Sequence, residues 1–400
     1  MEKLRNQLPG LTGLRFFAAL LVILCHLEQF KVWTGFSPIK MTLIDGKYVG
    51  GVAFSPLFKQ LAGDGVFFFF ILSGFLITYL LFKELAASGT IAIGKFYARR
   101  ALRILPLYYT LVFLGLIMCP SLGIDWPPKF VEGWDDFGPR LFFFAVMLPQ
   151  VGQVLFPEVA STGHLWSVGV EEAFYLTWPL VIKATRKFSL FFILFVILGT
   201  FAVQNSTWIS SVAVFHGKPI FETADQYLRI YCFQYLALGA LGAWVAVHKP
   251  HWCKFLFRHE VQAIVYFLLI KHLTYYSDYG KWDALARGIP NLLFIMNVSL
   301  NPKTWFKFEN RVLKYLGEIS YGIYMYHILC IHLMVLLLVA IGKFQSQLSN
   351  SIFLYGTAIP LTIGCAAVSH HWLEKPFLNI RKKFQPIKSG EQIPVGAVAL

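Results

Sequence analysis

The stretch GLRFFAALLVILCH, residues 13–26, sets an arginine and a histidine, Arg15 and His26, eleven residues apart in an apolar run. The run is long enough, with its flanks, for a helix that crosses hydrocarbon, which takes about 20 residues. Eleven steps of about 100° carry a helix about 20° past three full turns. Both side chains therefore lie on one face, about 16 Å apart along the axis at about 1.5 Å per residue. Ionisable side chains within such helices are costly and mark functional positions. The residues before the run, MEKLRNQLPG, are basic as in a signal peptide, but no small-residue cleavage site follows, so the helix is expected to be retained.

Working outward, the composition supports the same class. Of 400 residues, 57% are hydrophobic and 14% charged, where a soluble domain carries about a quarter charged. The expected fold is an all-α integral membrane protein with about ten transmembrane helices, near 14–30, 63–82, 104–120, 164–182, 188–204, 227–247, 260–277, 284–300, 318–342 and 351–373. Segment 141–155 is apolar but holds Pro149, which suits a re-entrant or interfacial piece. With the N-terminus inside, 22 of the 35 Lys and Arg fall in inner segments, 9 in outer ones and four within spans. That asymmetry predicts both termini cytoplasmic. It accounts for much of the +14 net charge without nucleic acid. Eight tryptophans, among them Trp126, Trp134, Trp252 and Trp305, lie near span ends, as in an interfacial belt. The six cysteines have no paired spacing, so neither a disulfide framework nor a zinc site is expected.

Four further constellations carry chemistry. In FYARRALRILPLYY (96–109), Arg99, Arg100 and Arg103 precede the third span, and Arg100 and Arg103 are helix neighbours. They read either as interfacial charge or as a clamp of planar bidentate donors on a polyanion. In GHLWSVGVEEAFYLTWPL (163–180), His164, Glu171 and Glu172 sit at or within the outer half of a span. The adjacent glutamates point in different directions, towards a cavity or towards a structural partner such as Arg229, Lys271 or Arg287. In GDGVFFFFILSGFLITYLL (63–81), Phe67–Phe70 suits packing, Ser73 and Gly74 allow close helix approach, and Asp64 falls at the outer end of the span. In LGEISYGIYMYHILCIH (316–332), Tyr321, Tyr324 and His327 share a face that suits a polar cavity or interhelical hydrogen bonds. From spacing alone, a CoA thioester fits the first helix, its phosphates at Arg15 and its acyl group near His26.

Taken together these segments resemble the membrane-bound acyltransferase-3 family of bacterial O-acyltransferases. Arg15 and His26 match its first-helix signature, Arg100 and Arg103 its Arg-x-x-Arg motif, residues 65–76 its GVxFFxxLSGFL block and 166–179 its WSxxxEExFYxxxP block. Ser320 to His327 match SYxxYxxH, and Glu374 to Phe377 a late Glu-Lys-Pro-Phe. Many members carry Asp where this chain has Phe67. The resemblance implies an acyl-CoA donor, acetyl-CoA above all, on the cytoplasmic side. It implies transfer to a hydroxyl of an extracytoplasmic glycan such as O-antigen, exopolysaccharide or peptidoglycan, or a lipid-linked glycan. Small molecules such as macrolides are the alternative acceptors, and a transporter is the alternative from another class.

On this reading Arg15, Arg100 and Arg103 bind the cofactor phosphates. His26 is the catalytic base, with Glu171 or Glu172 orienting it or holding the acceptor. His164, Ser73, Tyr324 and His327 bind substrate. No metal and no nucleic-acid partner are expected, membrane lipid is, and the oligomeric state is unreadable. The expected location is the inner membrane. Residues 1–380 form the transmembrane domain and 381–400 a short cytoplasmic tail, and the extracytoplasmic hydrolase-like domain of some members is expected to be absent.

Overall fold

A computed structural model of the chain describes residues 8–33, 56–121, 136–156, 160–205, 232–274, 282–342 and 346–385, with a few shorter pieces between them. Most of the expected loop 31–62, Trp126, Trp134, Arg229 and the tail beyond Gln385 lie outside the described residues. Apart from three two-stranded ladders of two or three residues per strand, the described chain is helical.

Helix α1 spans Leu11–Trp33, α2 Pro56–Ser88 and α3 Ile93–Phe113, the last continuing through a wide turn to Ser121. Two short helices follow, α4 (Phe137–Ala145) and α5 (Pro149–Leu155), then α6 (Leu165–Thr185), α7 (Ser189–Asn205), α8 (Phe233–His248) and α9 (Pro250–Leu256). The rest are α10 (His259–Thr274), α11 (Asp283–Leu300), α12 (Arg311–Glu318), α13 (Ser320–Ala340), α14 (Gln347–Ser369) and α15 (Lys375–Arg381). A helix lies at each of the ten expected places. Six stretches among the described residues are long and apolar enough to cross a membrane: Leu11–Lys31, Asp64–Ser88, Ile93–Ser121, Leu165–Val203, Ser320–Ala340 and Gln347–Phe384. The protein is therefore an α-helical membrane protein. The number falls below ten partly because α6 and α7 form one of these stretches, turning at Arg186 with φ 20°. In addition α8 and α10 have only 16 residues each.

Two local features add detail to the sequence reading. The apolar piece 141–155 breaks into α4 and α5 at Met147, whose φ is 63°, with Pro149 opening α5 where its missing N–H costs nothing. Asp64 opens the span Asp64–Ser88, and the helix extends beyond it. It lies inside the 33-residue α2, buried, with Oδ1 3.4 Å from Arg287 Nη1 of α11, while Arg287 Nε donates to Asp283 at 2.8 Å. Arg287 thus serves Asp64 and Asp283 rather than Glu171 or Glu172.

Lipid tails are as apolar as leucine, so helices in a membrane associate through close packing rather than through hydrophobic exclusion. Helices α2 and α8 approach closely. A Cβ added at Gly74 would collide with the Leu236 carbonyl, and one at Gly239 with the Ile71 carbonyl. Phe67 stacks on Tyr235 in the same contact, ring centroids 4.1 Å apart and 8° from parallel. The turn from α2 to α3 is fixed by Glu84, which accepts from the Ala92 N–H at 2.8 Å and pairs with Arg99 at 3.5 Å. One apolar cluster gathers around α2, α3, α6 and α8, and a second around α1, α13 and α14. Helices α1 and α13 contribute to both, and their polar residues run along the seam.

Candidate functional site

The inner part of that seam is a pocket lined by Arg15 of α1, Val66, Phe69, Phe70 and Ser73 of α2, Arg100, Arg103 and Ile104 of α3, Ser167, Glu171 and Tyr175 of α6, and Ser320, Tyr321 and Tyr324 of α13. Five predicted site residues besides Arg15 meet here: Ser73, Arg100, Arg103, Glu171 and Tyr324. Their convergence follows from local sequence. Arg100 and Arg103 are three apart on α3, so both face the same way. Glu171 and Tyr175 are four apart on α6, and Tyr321 and Tyr324 three apart on α13. The Arg100 guanidinium stacks over the Tyr175 ring at 4.3 Å to the centroid, a cation–π contact of about 0.5–2 kcal/mol. Tyr321 anchors α13 to α3, donating to the Ile104 carbonyl at 3.1 Å.

The electrostatics of the pocket are unbalanced. Among the described residues none of Arg15, Arg100 and Arg103 has a carboxylate oxygen within 4.0 Å or a side-chain hydrogen bond. Arg99 behaves differently: it pairs with Glu84 and donates to the Phe384 carbonyl at 2.8 Å, so its fork is committed to structure. Arg381 of α15 is an electrostatic neighbour of Arg100 and Arg15, a fourth cation that sequence reasoning passed over because it sits some 280 residues along the chain from Arg100. Glu171 is the acidic residue lining the pocket, and Ser73 faces it. Glu172 turns away, its Oε1 buried without a partner.

Tyr324 closes the pocket at one end and opens a second cluster beyond it. Its hydroxyl lies 2.6 Å from Ser167 Oγ and 3.1 Å from the His164 carbonyl. Behind it the imidazoles of His164 and His327 have centroids 5.0 Å apart, and those of His327 and His26 5.1 Å apart. The hydrogen bonds fix the tautomers. Gln29 Oε1 is 2.7 Å from His26 Nδ1; an amide oxygen only accepts, so Nδ1 carries the proton and Nε2 the lone pair. By the same logic His164 Nε2 donates to the Met325 carbonyl at 3.0 Å and His327 Nδ1 to the Tyr324 carbonyl. His164 Nδ1 and His327 Nε2 are then buried acceptor nitrogens with no partner. Buried polar atoms are normally paired, so these two bare nitrogens, with the His26 imidazole beside them, suit hydrogen-bond donors such as hydroxyl groups.

The orienting partner of His26 is thus Gln29, not Glu171 or Glu172, and its position three residues on was a readable signal. Among the described residues no group of three His, Cys, Asp or Glu has metal-holding geometry. Phe67 and Asp64 do not line the arginine pocket.

A family described as Acyltransferase domain matches residues 8–371. The O-acetyltransferase OatA of Staphylococcus aureus (strain NCTC 8325 / PS 47) is 26% identical over 417 residues, covering 98% of this chain and 61% of that protein. A protein of Staphylococcus aureus (strain MRSA252), provisionally named an O-acetyltransferase, is 26% identical over 415 residues, covering 96% of this chain and 60% of that protein. The chain therefore spans about 60% of the length of the curated relatives it matches. No solved structure gives a significant match.

Proposed function

The chain belongs to this acyltransferase family, and from that premise we propose that it is an integral-membrane O-acetyltransferase that moves an acetyl group from cytoplasmic acetyl-CoA to a hydroxyl of an extracytoplasmic glycan. The observation that carries the reading is the juxtaposition, across Tyr324 and Ser167, of unpaired guanidinium groups and bare imidazole nitrogens. Arg15, Arg100 and Arg103 suit the phosphates of CoA, since a guanidinium fork matches phosphate oxygens bidentately. Tyr324 and Ser167 flank the way to His26, and the axial distance of about 16 Å between Arg15 and His26 suits an extended pantetheine arm.

At the far end the acceptor hydroxyl donates to His26 Nε2, held in register by Gln29. The hydroxyl oxygen attacks the thioester carbonyl while its proton passes to Nε2. The C–S bond breaks, and the thiolate leaves with that proton. The products are an acetyl ester and CoA thiol, with His26 restored as the neutral base. His164 and His327 hold other acceptor hydroxyls, and Ser73 and Glu171 set the positions of the cations. Both termini are cytoplasmic on this reading, as the charge asymmetry favours, with about ten crossings and the membrane domain over 1–380. That arrangement opens the arginine end to the cytoplasm.

The test is mass spectrometry of envelope glycans from cells lacking the protein, complemented with wild type or His26→Ala at matched membrane levels. Loss of an acetyl mass restored by wild type alone supports the reading. Equal restoration by both forms makes His26 structural. Absence of any acetyl change removes bulk glycan as the acceptor. Labelled acetyl-CoA supplied without acceptor separates direct transfer from an acetyl-histidine relay, since only the relay retains label on the protein.

A further inference from the structure

A second cavity of about 420 Å³ lies between α1, α2, α10 and α11, on the side of α1 away from the histidine cluster. Its walls are apolar, and its mouth is rimmed by Phe17, Ile270 and Phe306, which are 37%, 59% and 52% exposed. On a membrane-spanning bundle that outer surface meets lipid, so a ligand reaches the cavity sideways from the bilayer. The floor is polar. Asp64, 6% exposed, lines it with Arg287 and Asn291, and Asp64 Oδ2 is buried without a partner among the described residues. Oδ1 pairs with Arg287 and Oδ2 is left as the unpaired oxygen of a residue lining the cavity, on a floor that also carries His272 and Asn291.

We propose that this cavity is a binding site for an uncharged hydroxyl-headed lipid, whose chain fills the apolar walls and whose hydroxyl donates to Asp64 Oδ2. The chemistry of the floor selects the headgroup. Two carboxylates, Asp64 and Asp283, already share the single guanidinium of Arg287, so a phosphate would add a third anion in a desolvated place. Phosphatidylethanolamine offers an ammonium but brings its phosphate close behind. A neutral hydroxyl completes Oδ2 with one charge-assisted hydrogen bond and adds no charge. A long-chain alcohol and a diacylglycerol share this chemistry. The proposal stands apart from the acetyl-transfer reading, because it uses none of the residues of the arginine pocket or the histidine cluster.

The test uses the full chain in phosphatidylcholine nanodiscs doped with a diazirine-bearing diacylglycerol, irradiated and mapped by peptide mass spectrometry. Labelling is expected on Phe17, Phe68, Leu269 and Phe294, competed by unlabelled dioleoylglycerol or hexadecanol but not by dioleoylphosphatidic acid. Whichever of the two competes more strongly identifies the source. Asp64→Asn should weaken the competition about tenfold, the effect of one lost hydrogen bond to a charged group. That variant removes half of a buried ion pair and can unfold, so Leu269→Trp, which fills the cavity and leaves the pair intact, is the second arm and should abolish labelling there. Labelling spread evenly over the lipid-facing surface, labelling unchanged in Leu269→Trp, or equal competition by phosphatidic acid would each overturn the proposal.

Discussion

Replacing Arg103 with Gln separates a ligand-binding cation from a structural one. Arg103 has five N–H donors, none of them used by another described residue, and it sits beside Arg100 and Arg381 with Glu374 as its acidic neighbour. No carboxylate among the described residues lies within ion-pair distance. If the fork meets CoA phosphate oxygens, its removal costs about 1.5–3 kcal/mol of binding, the range for hydrogen bonds to charged groups, or about 10- to 150-fold in affinity. The unliganded protein should respond in the opposite sense. Taking one cation out of a cluster of like charges relieves repulsion, so its thermal midpoint stays the same or rises. Saturation binding of tritiated acetyl-CoA to the protein in nanodiscs measures the first effect, and intrinsic-fluorescence melting with and without acetyl-CoA the second. Affinity within twofold of wild type, joined to a fall in the unliganded midpoint, would refute the reasoning and make Arg103 a structural anchor.

Arg99→Ala is the converse case: with its fork spent on Glu84 and the Phe384 carbonyl, it should lower the melting midpoint and leave acetyl-CoA affinity unchanged. Gln29→Leu should cut turnover about tenfold or more with little change in acetyl-CoA affinity, because it frees the His26 ring from its tautomer without touching the arginine pocket; Gln29→Glu, which keeps the acceptor, should recover most of the rate in the same assay. Gly239→Leu should cost several kcal/mol, since its side chain would meet the α2 backbone at Ile71 and Phe75, read as loss of folded protein after detergent extraction.

The parts of the fold legible in sequence are those in which a single helix supplies the whole signal. Helix α1 was readable from hydropathy and one 11-residue spacing, and Arg100, Arg103 and Tyr324 from spacings of three. What failed depended on partners far along the chain. Asp64 and Arg287 are 223 positions apart, and no periodicity links them, so their buried pairing had no signal in the chain. Six stretches among the described residues have the length and hydropathy of a span, fewer than the ten apolar helices the sequence offers. A helix such as α8 is apolar and packed on α2 through Gly239, and its 16 described residues reach about 24 Å at about 1.5 Å per residue, against the roughly 30 Å of a hydrocarbon core. Hydropathy reports how greasy a segment is, whereas length and what surrounds it decide whether it crosses.

The two halves of the site demand opposite chemistry from one helix, and the helix explains how both are met. Cations recognise phosphate, and bare lone pairs recognise hydroxyl protons. Side by side, a guanidinium would fill the acceptor nitrogens that a hydroxyl must find, because Arg carries only donors and neutral imidazole offers one acceptor. Mounting Arg15 and His26 on the same face of α1, three turns apart, keeps them in line yet out of reach. Tyr324 and Ser167 stand between the two groups and satisfy each other with the His164 carbonyl, so neither draws on a guanidinium or an imidazole. The spacing acts as a ruler because an α-helix holds its rise and rotation more firmly than any loop. Gln29, one turn past His26 on the same helix, then sets the imidazole's tautomer from within that rigid element. A site placed this way leaves several polar atoms unsatisfied in the absence of ligand, a cost to stability recovered when a phosphate and a hydroxyl arrive together.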